Sequence, residues 1–377
     1  MLLLGLLSTC AISVPAQTEK KPDEQGKDAQ EKPLARIETI EAKIPLRAFD
    51  PLGKRVLNLT AKDVVVIENG AGRQVTGLKL EPANILLVLD QSLEMNAIKN
   101  DRSSAARDLE KKSGGPNRWL NAPTEFSEHV VSQLGKADQI AIIQYSDKAE
   151  VIQNWTADRK QAMSAIRSRF RQGGKTRYYD ALLLAAETFK NSPPGRQVLV
   201  MLTDGLDTAS EVRKEDAFAA LSHTGATIYV VNWADVLRDE TSKTKPKVLS
   251  GHGGTPTDTA SAGVSINISP WIFKRKKERK EYLKKVATNA KELAQIAVSS
   301  GGENYLPKSI DELVDKSDNI MQEIGAQYML TFLTERRSGE DTMREVEVLG
   351  ARTGLSVLAR RKYYIAKDQT ETKPGIR

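Results

Sequence analysis

Three short stretches of the chain gather oxygen-bearing side chains at spacings suited to a hard cation. Asp90-Gln91-Ser92-Leu93-Glu94 alternates carboxylate, hydroxyl and carboxylate. Gly173-Gly174-Lys175-Thr176 ends on a hydroxyl, and Thr203-Asp204-Gly205 is followed by Asp207 and Thr208. All three offer oxygen and no soft ligand, the donor set preferred by Mg²⁺, Ca²⁺ or Mn²⁺. Sulfur and imidazole chemistry have little to work with. The single cysteine, Cys10, excludes an intramolecular disulfide and any cysteine-based zinc or iron–sulfur site. His129, His223 and His252 lie far apart and show no H-x-x-x-H spacing.

The elements that must position these turns follow from hydropathy. Ile85 to Leu89, Gln139 to Tyr145, Val198 to Leu202 and Thr227 to Asn232 read as strands, and all but the second are nearly continuous apolar runs. Amphipathic helices alternate with them: Thr124 to Leu134, Arg177 to Phe189, a stripe from Leu283 through Val286, Ala287, Ala290, Leu293 and Ala294 to Ala297, and another from Ile310 to Ile324. Alternation of this kind predicts a mostly parallel sheet covered on both faces, with ligands gathered at the carboxyl ends of its strands. Two of the three oxygen-bearing turns directly follow such strands.

Both ends of the chain read differently. Ile37 to Leu46, Val64 to Ile67 and Gln74 to Leu80 are short strands around Asp50-Pro51-Leu52-Gly53 and Asn69-Gly70, sequences that supply the positive φ of tight turns. Gln327 to Leu333, Arg344 to Leu349 and Leu355 to Ile365 alternate again, with turns at Ser338-Gly339 and Arg352-Thr353-Gly354. So few strands at the amino end would leave exposed edges, so the two ends are expected to complete one β-sandwich.

Of 377 residues, 40% are hydrophobic and 28% charged, as in soluble globular proteins. The net charge of +7 is concentrated: residues 274–285, KRKKERKEYLKK, hold eight basic and two acidic side chains. Their plainest reading is a solvated helical face, with contact to an anionic envelope surface as the alternative. Residues 1–16 form an uncharged apolar stretch ending in small residues, which predicts export to the periplasm, cell surface or medium, and Leu7-Ser8-Thr9-Cys10 leaves a lipid anchor on Cys10 open. Gln17 to Pro33 is charged and reads as a linker.

The ordered set Asp90, Ser92, Thr176 and Asp204 resembles the metal-ion-dependent adhesion site of the von Willebrand factor A family, Asp-x-Ser-x-Ser, then Thr, then Asp-Gly. The resemblance implies that the serine and threonine hydroxyls bind the metal directly, that the two aspartates act mostly through water, and that one position stays open for an acidic side chain of a partner. Glu94 stands where the second serine belongs. A third carboxylate either strengthens cation binding while weakening capture of an acidic partner, or overshoots and disables the site. The flanks, Leu59 to Gly70 and Arg360 to Tyr364 among them, are similar to exported bacterial proteins of the VWFA-related, Acidobacterial type. That likeness implies a doubly wound α/β domain inserted in an immunoglobulin-like sandwich. The expected organisation is a signal peptide at 1–16, a linker at 17–35, sandwich parts at 36–82 and 326–366, an A-like domain at 83–325 with a loop insertion at 234–272, and a tail at 367–377.

Gly174-Lys175-Thr176 shares its order with the end of a phosphate-binding loop, but Arg169 occupies the required glycine position, which excludes a P-loop NTPase. No G-x-S-x-G elbow occurs, and Asp63, Asp204 and Asp207 show no catalytic spacing. The leading expectation is a non-enzymatic, divalent-cation-dependent binding module for a protein or matrix partner, not for nucleic acid. The alternative is a metal-independent scaffold that binds through 274–285 or 234–272, and a third class is a hydrolase using the same metal.

Overall fold

The computed structural model describes residues 37–92, 118–236, 270–337 and 342–365. The expected signal peptide, linker and tail, Cys10, Glu94, His252, residues 237–269 and the Ser338-Gly339 turn lie outside the described residues. In chain order the strands are β1 (Ile37–Phe49), β2 (Val64–Glu68), β3 (Ala71–Arg73), β4 (Val75–Leu80), β5 (Ala83–Asp90), β6 (Gln139–Tyr145), β7 (Ala149–Thr156), β8 (Arg196–Thr203), β9 (Thr227–Asn232), β10 (Asn304–Tyr305), β11 (Tyr328–Arg337), β12 (Thr342–Gly350), β13 (Ser356–Ala359) and β14 (Lys362–Ile365). The helices are α1 (Arg118–Ser132), α2 (Arg159–Arg169), α3 (Tyr178–Lys190), α4 (Lys214–Ser222), α5 (Pro270–Ser299) and α6 (Ile310–Gly325).

The central sheet has the order β10-β9-β8-β5-β6-β7, parallel throughout except for β7, which runs antiparallel at the edge. Every residue of β5 is buried, as a strand covered on both faces requires. Because side chains alternate, Ile85, Leu87 and Leu89 pack with α1, α2 and α6, while Leu86 and Val88 pack with α3, α4 and α5. The expected apolar faces of α1 and α3 are buried, including Phe126, Val130, Val131, Leu182 and Phe189. Helix α1 begins earlier than Thr124, at Arg118, and carries Pro123 within it.

The two chain ends share two further sheets, β13-β1-β11-β4 and β14-β12-β2-β3. Ile44 pairs with Leu330, and Val66 with Val348, so residues far apart in sequence form the ladders. One core joins both sheets, with Ile44, Leu46, Val66, Phe332, Val348 and Ile365 among its members. Asn69 and Gly70, at φ of 48° and 82°, turn β2 into β3. The chain then crosses to the other sheet at Gln74 and continues as β4.

Several expectations change. Leu355 to Ile365 is not one strand, because the chain changes sheets at Arg360-Arg361 between β13 and β14. The loop expected at 234–272 is shorter at both ends: Ala234 to Val236 are helical, with Ala234 and Val236 buried, and α5 begins at Pro270. On α5 the buried positions are Val286, Leu293 and Ala297, whereas Ala287 faces solvent; Leu283 lies outside the described side chains.

The α/β body and the β-sheets meet through arginines. Arg47 of β1 reaches Glu323 of α6, which also accepts Arg55 at 2.6 Å, and Arg47 donates to the Gly301 carbonyl at 3.1 Å. Its guanidinium sits 5.7 Å from the centre of the Tyr229 ring. Arg360 donates to the Ala226 carbonyl at 2.8 Å, and burial lowers its pKa to about 10.

Candidate metal centre

The carboxyl ends of β5, β6 and β8 form one rim. Asp90 closes β5 opposite Tyr145, which closes β6, and Leu89 pairs with Leu202, so Thr203 and Asp204 emerge on the adjoining strand. Ser92 forms a parallel bridge with Gly173, whose amide donates to the Gln91 carbonyl at 3.2 Å. A Cβ at Gly173 would lie 2.7 Å from an Asp147 carboxylate oxygen, so any larger residue there would displace the Asp147 side chain. Asp147 in turn accepts the amides of Gly174 at 3.1 Å and Lys175 at 2.9 Å.

Thr176 is tied to the third turn from both sides. Its amide donates to the Thr208 hydroxyl at 3.0 Å, and its carbonyl accepts the amides of Thr208 and Ala209. Asp207 accepts the Tyr178 amide at 2.9 Å at the start of α3, and Asp180 accepts the amides of Glu211 and Val212. These carboxylates satisfy helix and loop donors that would otherwise be left open. The three turns are thus laced together before any ligand is considered.

Asp90 is 2% exposed and accepts the Ser92 amide at 2.8 Å. Burial first, and then the nearby Asp204 carboxylate, push its pKa well above the usual range, against the pull of hydrogen bonds with Ser92 and Tyr145. Asp204 is 5% exposed and accepts the Leu206 amide at 2.9 Å. The Tyr145 hydroxyl donates to the Thr203 hydroxyl at 2.6 Å, fixing the strand end between the two acids. The Thr176 hydroxyl is fully buried and has no hydrogen-bond partner among the described residues. Such an orphan costs about 1–3 kcal/mol, and two buried carboxylates in mutual repulsion add to the cost.

The donor chemistry at this rim, oxygen only, with two carboxylates and the hydroxyls of Ser92 and Thr176, is of the kind that would suit a divalent cation. Among the described residues no group of three or more His, Cys, Asp or Glu side chains assembles that could hold a metal ion. The structure brings Asp90, Ser92, Thr176 and Asp204 to one rim; Glu94 lies outside the described residues.

Two supporting residues escaped the sequence reading. Asp147 follows β6 as the other acids follow β5 and β8, so inspection of that strand end would have found it. Asn289 carries no such signal. From the middle of α5 its amide donates to the Gly205 carbonyl at 2.6 Å, fixing the Asp204-Gly205 turn. Gly205 has φ of 73°, and a Cβ there would stand 3.0 Å from both Asn289 and Leu293.

Residues 84–259 match the family model of the von Willebrand factor type A domain. Among solved structures, proximal thread matrix protein 1 from the mussel byssus aligns at 16% identity over 69% of this chain and 50% of that one, with a TM-score of 0.42. The chain therefore spans about half the length of that protein, a further structure of which has a zinc-occupied MIDAS motif. A von Willebrand factor type A protein from Catenulispora acidiphila aligns at 13% identity over 89% of this chain and 76% of that one, with a TM-score of 0.42. The vWF domain of the type V pili tip protein Mfa5 from Porphyromonas gingivalis aligns at 17% identity over 37% of this chain and 44% of that one, with a TM-score of 0.26.

Proposed function

From the von Willebrand factor type A domain that the chain carries at residues 84–259, we propose a non-enzymatic binding module whose rim at Asp90, Ser92, Thr176 and Asp204 holds a divalent cation and engages a protein or matrix partner. The observation that carries this reading is the pair of buried, mutually repelling carboxylates of Asp90 and Asp204 on the rim that also holds the buried, unpartnered Thr176 hydroxyl. Mg²⁺ is the first choice, with Ca²⁺ and Mn²⁺ as alternatives. Ser92 and Thr176 would offer hydroxyl oxygens and Asp90 and Asp204 carboxylate oxygens to hold the ion. When bound, the ion supplies a concentrated positive charge for an acidic side chain of the partner. The chain's own contribution is to fix the donors: Asp147 and Thr208 hold the Thr176 loop, and Asn289 holds Gly205.

The wider organisation we propose is an exported protein of the bacterial envelope in which the A domain is inserted in an immunoglobulin-like sandwich made from both chain ends. The test is thermal unfolding of the full chain with Mg²⁺, Mn²⁺ or Ca²⁺ and with chelator. A cation saturating the site at ~100 times its Kd should stabilise the fold by about 2.7 kcal/mol, and Asp204→Ala should abolish the effect. Superimposable melting curves with and without cation refute the reading.

A further inference from the structure

The basic surplus assigned above to residues 274–285 has a counterpart elsewhere. Between Arg159 and Tyr179 the chain has seven basic residues and no acidic one. Six of them, Arg159, Lys160, Arg167, Arg169, Arg171 and Lys175, are exposed along α2 and the loop that leads to Thr176. Among the described residues only Arg167 of these six has a carboxylate in ion-pair contact, Glu128 at 2.6 Å. Arg159, Arg169 and Arg171 donate from their guanidinium groups to backbone carbonyls, which carry no net charge, and Arg171 also acts on the Glu150 carboxylate at longer range.

Helix α2 does not need this composition for folding. Its buried side is only Ala162, Ala165 and Ile166, and Asp158 caps its amino end by accepting the amides of Lys160 and Gln161. The outer side borders a groove of about 490 Å³ lined by Arg159, Lys160, Met163, Ser164, Arg167 and Ser168. Lys160 to Ser168 spans ~12 Å at the helical rise of ~1.5 Å per residue, the length of about four residues of extended polypeptide.

We propose that this face docks an acidic polypeptide segment of a partner, four or so residues lying along α2 with its carboxylates on Lys160 and on the Nη atoms of Arg167, whose contact with Glu128 uses only Nε. Arginine forks match carboxylates in two-point contacts, and Met163 offers a floor for glutamate stems. A bilayer fits less well, because among the described residues none of the exposed large apolar side chains lies on this face. A sugar polyacid has no aliphatic stem to lay on Met163. This surface acts without the metal rim and goes beyond the reading above.

The experiment is fluorescence anisotropy of fluorescein-labelled hexaglutamate against the full chain in chelator, at low and at raised salt. Binding should weaken about tenfold or more in the double variant Lys160→Glu/Arg167→Glu and on adding salt. It should hold within about twofold in Lys43→Glu/Lys54→Glu, which reverses the same charge on exposed residues of another surface. Melting curves check that both variants fold. Asp204→Ala should leave hexaglutamate binding intact, so loss of the cation effect and loss of this surface are read separately. Three results overturn the proposal: no hexaglutamate binding, equal loss in both double variants, or capture of heparin or phosphatidylglycerol vesicles by Lys160 and Arg167 while hexaglutamate is ignored.

Discussion

Removing the Glu323 carboxylate should be among the most damaging single changes at the junction between the α/β body and the β-sheets. The side chain is 9% exposed and answers both Arg47, itself 4% exposed, and Arg55 at 2.6 Å. Burial alone would lower the pKa of Arg47, yet the Tyr229 hydroxyl, by its charge when ionised, and the carboxylates of Glu323 and Glu303 hold it above its ordinary value. Breaking a buried pair from one side typically costs about 3–5 kcal/mol, because the abandoned charge stays buried. Glu303 at 3.7 Å and the Gly301 carbonyl remain for Arg47, which puts Glu323→Ala at the lower end, about 3 kcal/mol. Arg55→Ala, with Arg55 about a third exposed, should cost about 1 kcal/mol or less. Replacing the pair together, Arg47→Met with Glu323→Leu, should be close to neutral, since the desolvation of both charges is also removed. Urea unfolding with a double-mutant cycle measures all three. A cost below about 1 kcal/mol for Glu323→Ala, or additive losses in the cycle, would refute the buried-pair reasoning.

Thr176→Val keeps the shape of the side chain and deletes the unpartnered hydroxyl; without cation it should be neutral or stabilise by about 1 kcal/mol, while the cation-induced rise in Tm disappears. Gly205→Ala should destabilise by about 1–3 kcal/mol in chemical denaturation, because its φ of 73° and the 3.0 Å approach to Asn289 and Leu293 leave no place for a methyl group. Glu68 gives the pH dependence. Burial would raise its pKa, but hydrogen bonds from Tyr363 and Thr334 and the charge of Arg73 outweigh burial and lower it. Its share of stability is therefore complete above the ordinary glutamate range and lost as pH falls through the depressed value, so wild type and Glu68→Gln should converge in Tm on acidification. A gap that is constant with pH would count against that assignment.

Legibility in the sequence tracked how far each element depends on its own residues. Strands β6 and β9 have the bounds read for them, each starting at a polar residue, Gln139 or Thr227, that opens a mostly apolar stretch. Strand β7, AEVIQNWT, was missed: half-buried at an edge, it has no continuous run and no clean alternation. Helix α2 was invisible because two alanines and one isoleucine make up its buried face among eleven residues. The split at Arg360 follows from packing against Ala226, more than a hundred residues away, which no local pattern reports. At the rim, Asp90, Ser92, Thr176 and Asp204 were legible because strand ends and turn glycines announce them. Asn289 was not, since its partner is a backbone carbonyl brought to it by the packing of α5 on β9.

The ladder between β1 and β11 also bears on biosynthesis. Phe49 has left the ribosome long before Tyr328 is made, an interval of roughly 15–60 s at ~5–20 residues per second. Throughout that time β1 lacks the neighbour that will cover Ile44 and Leu46. The inserted body can mature on its own ladders while the strands upstream wait, so nascent-chain chaperones should dwell on the first eighty residues and let go only once the last sheet partners arrive.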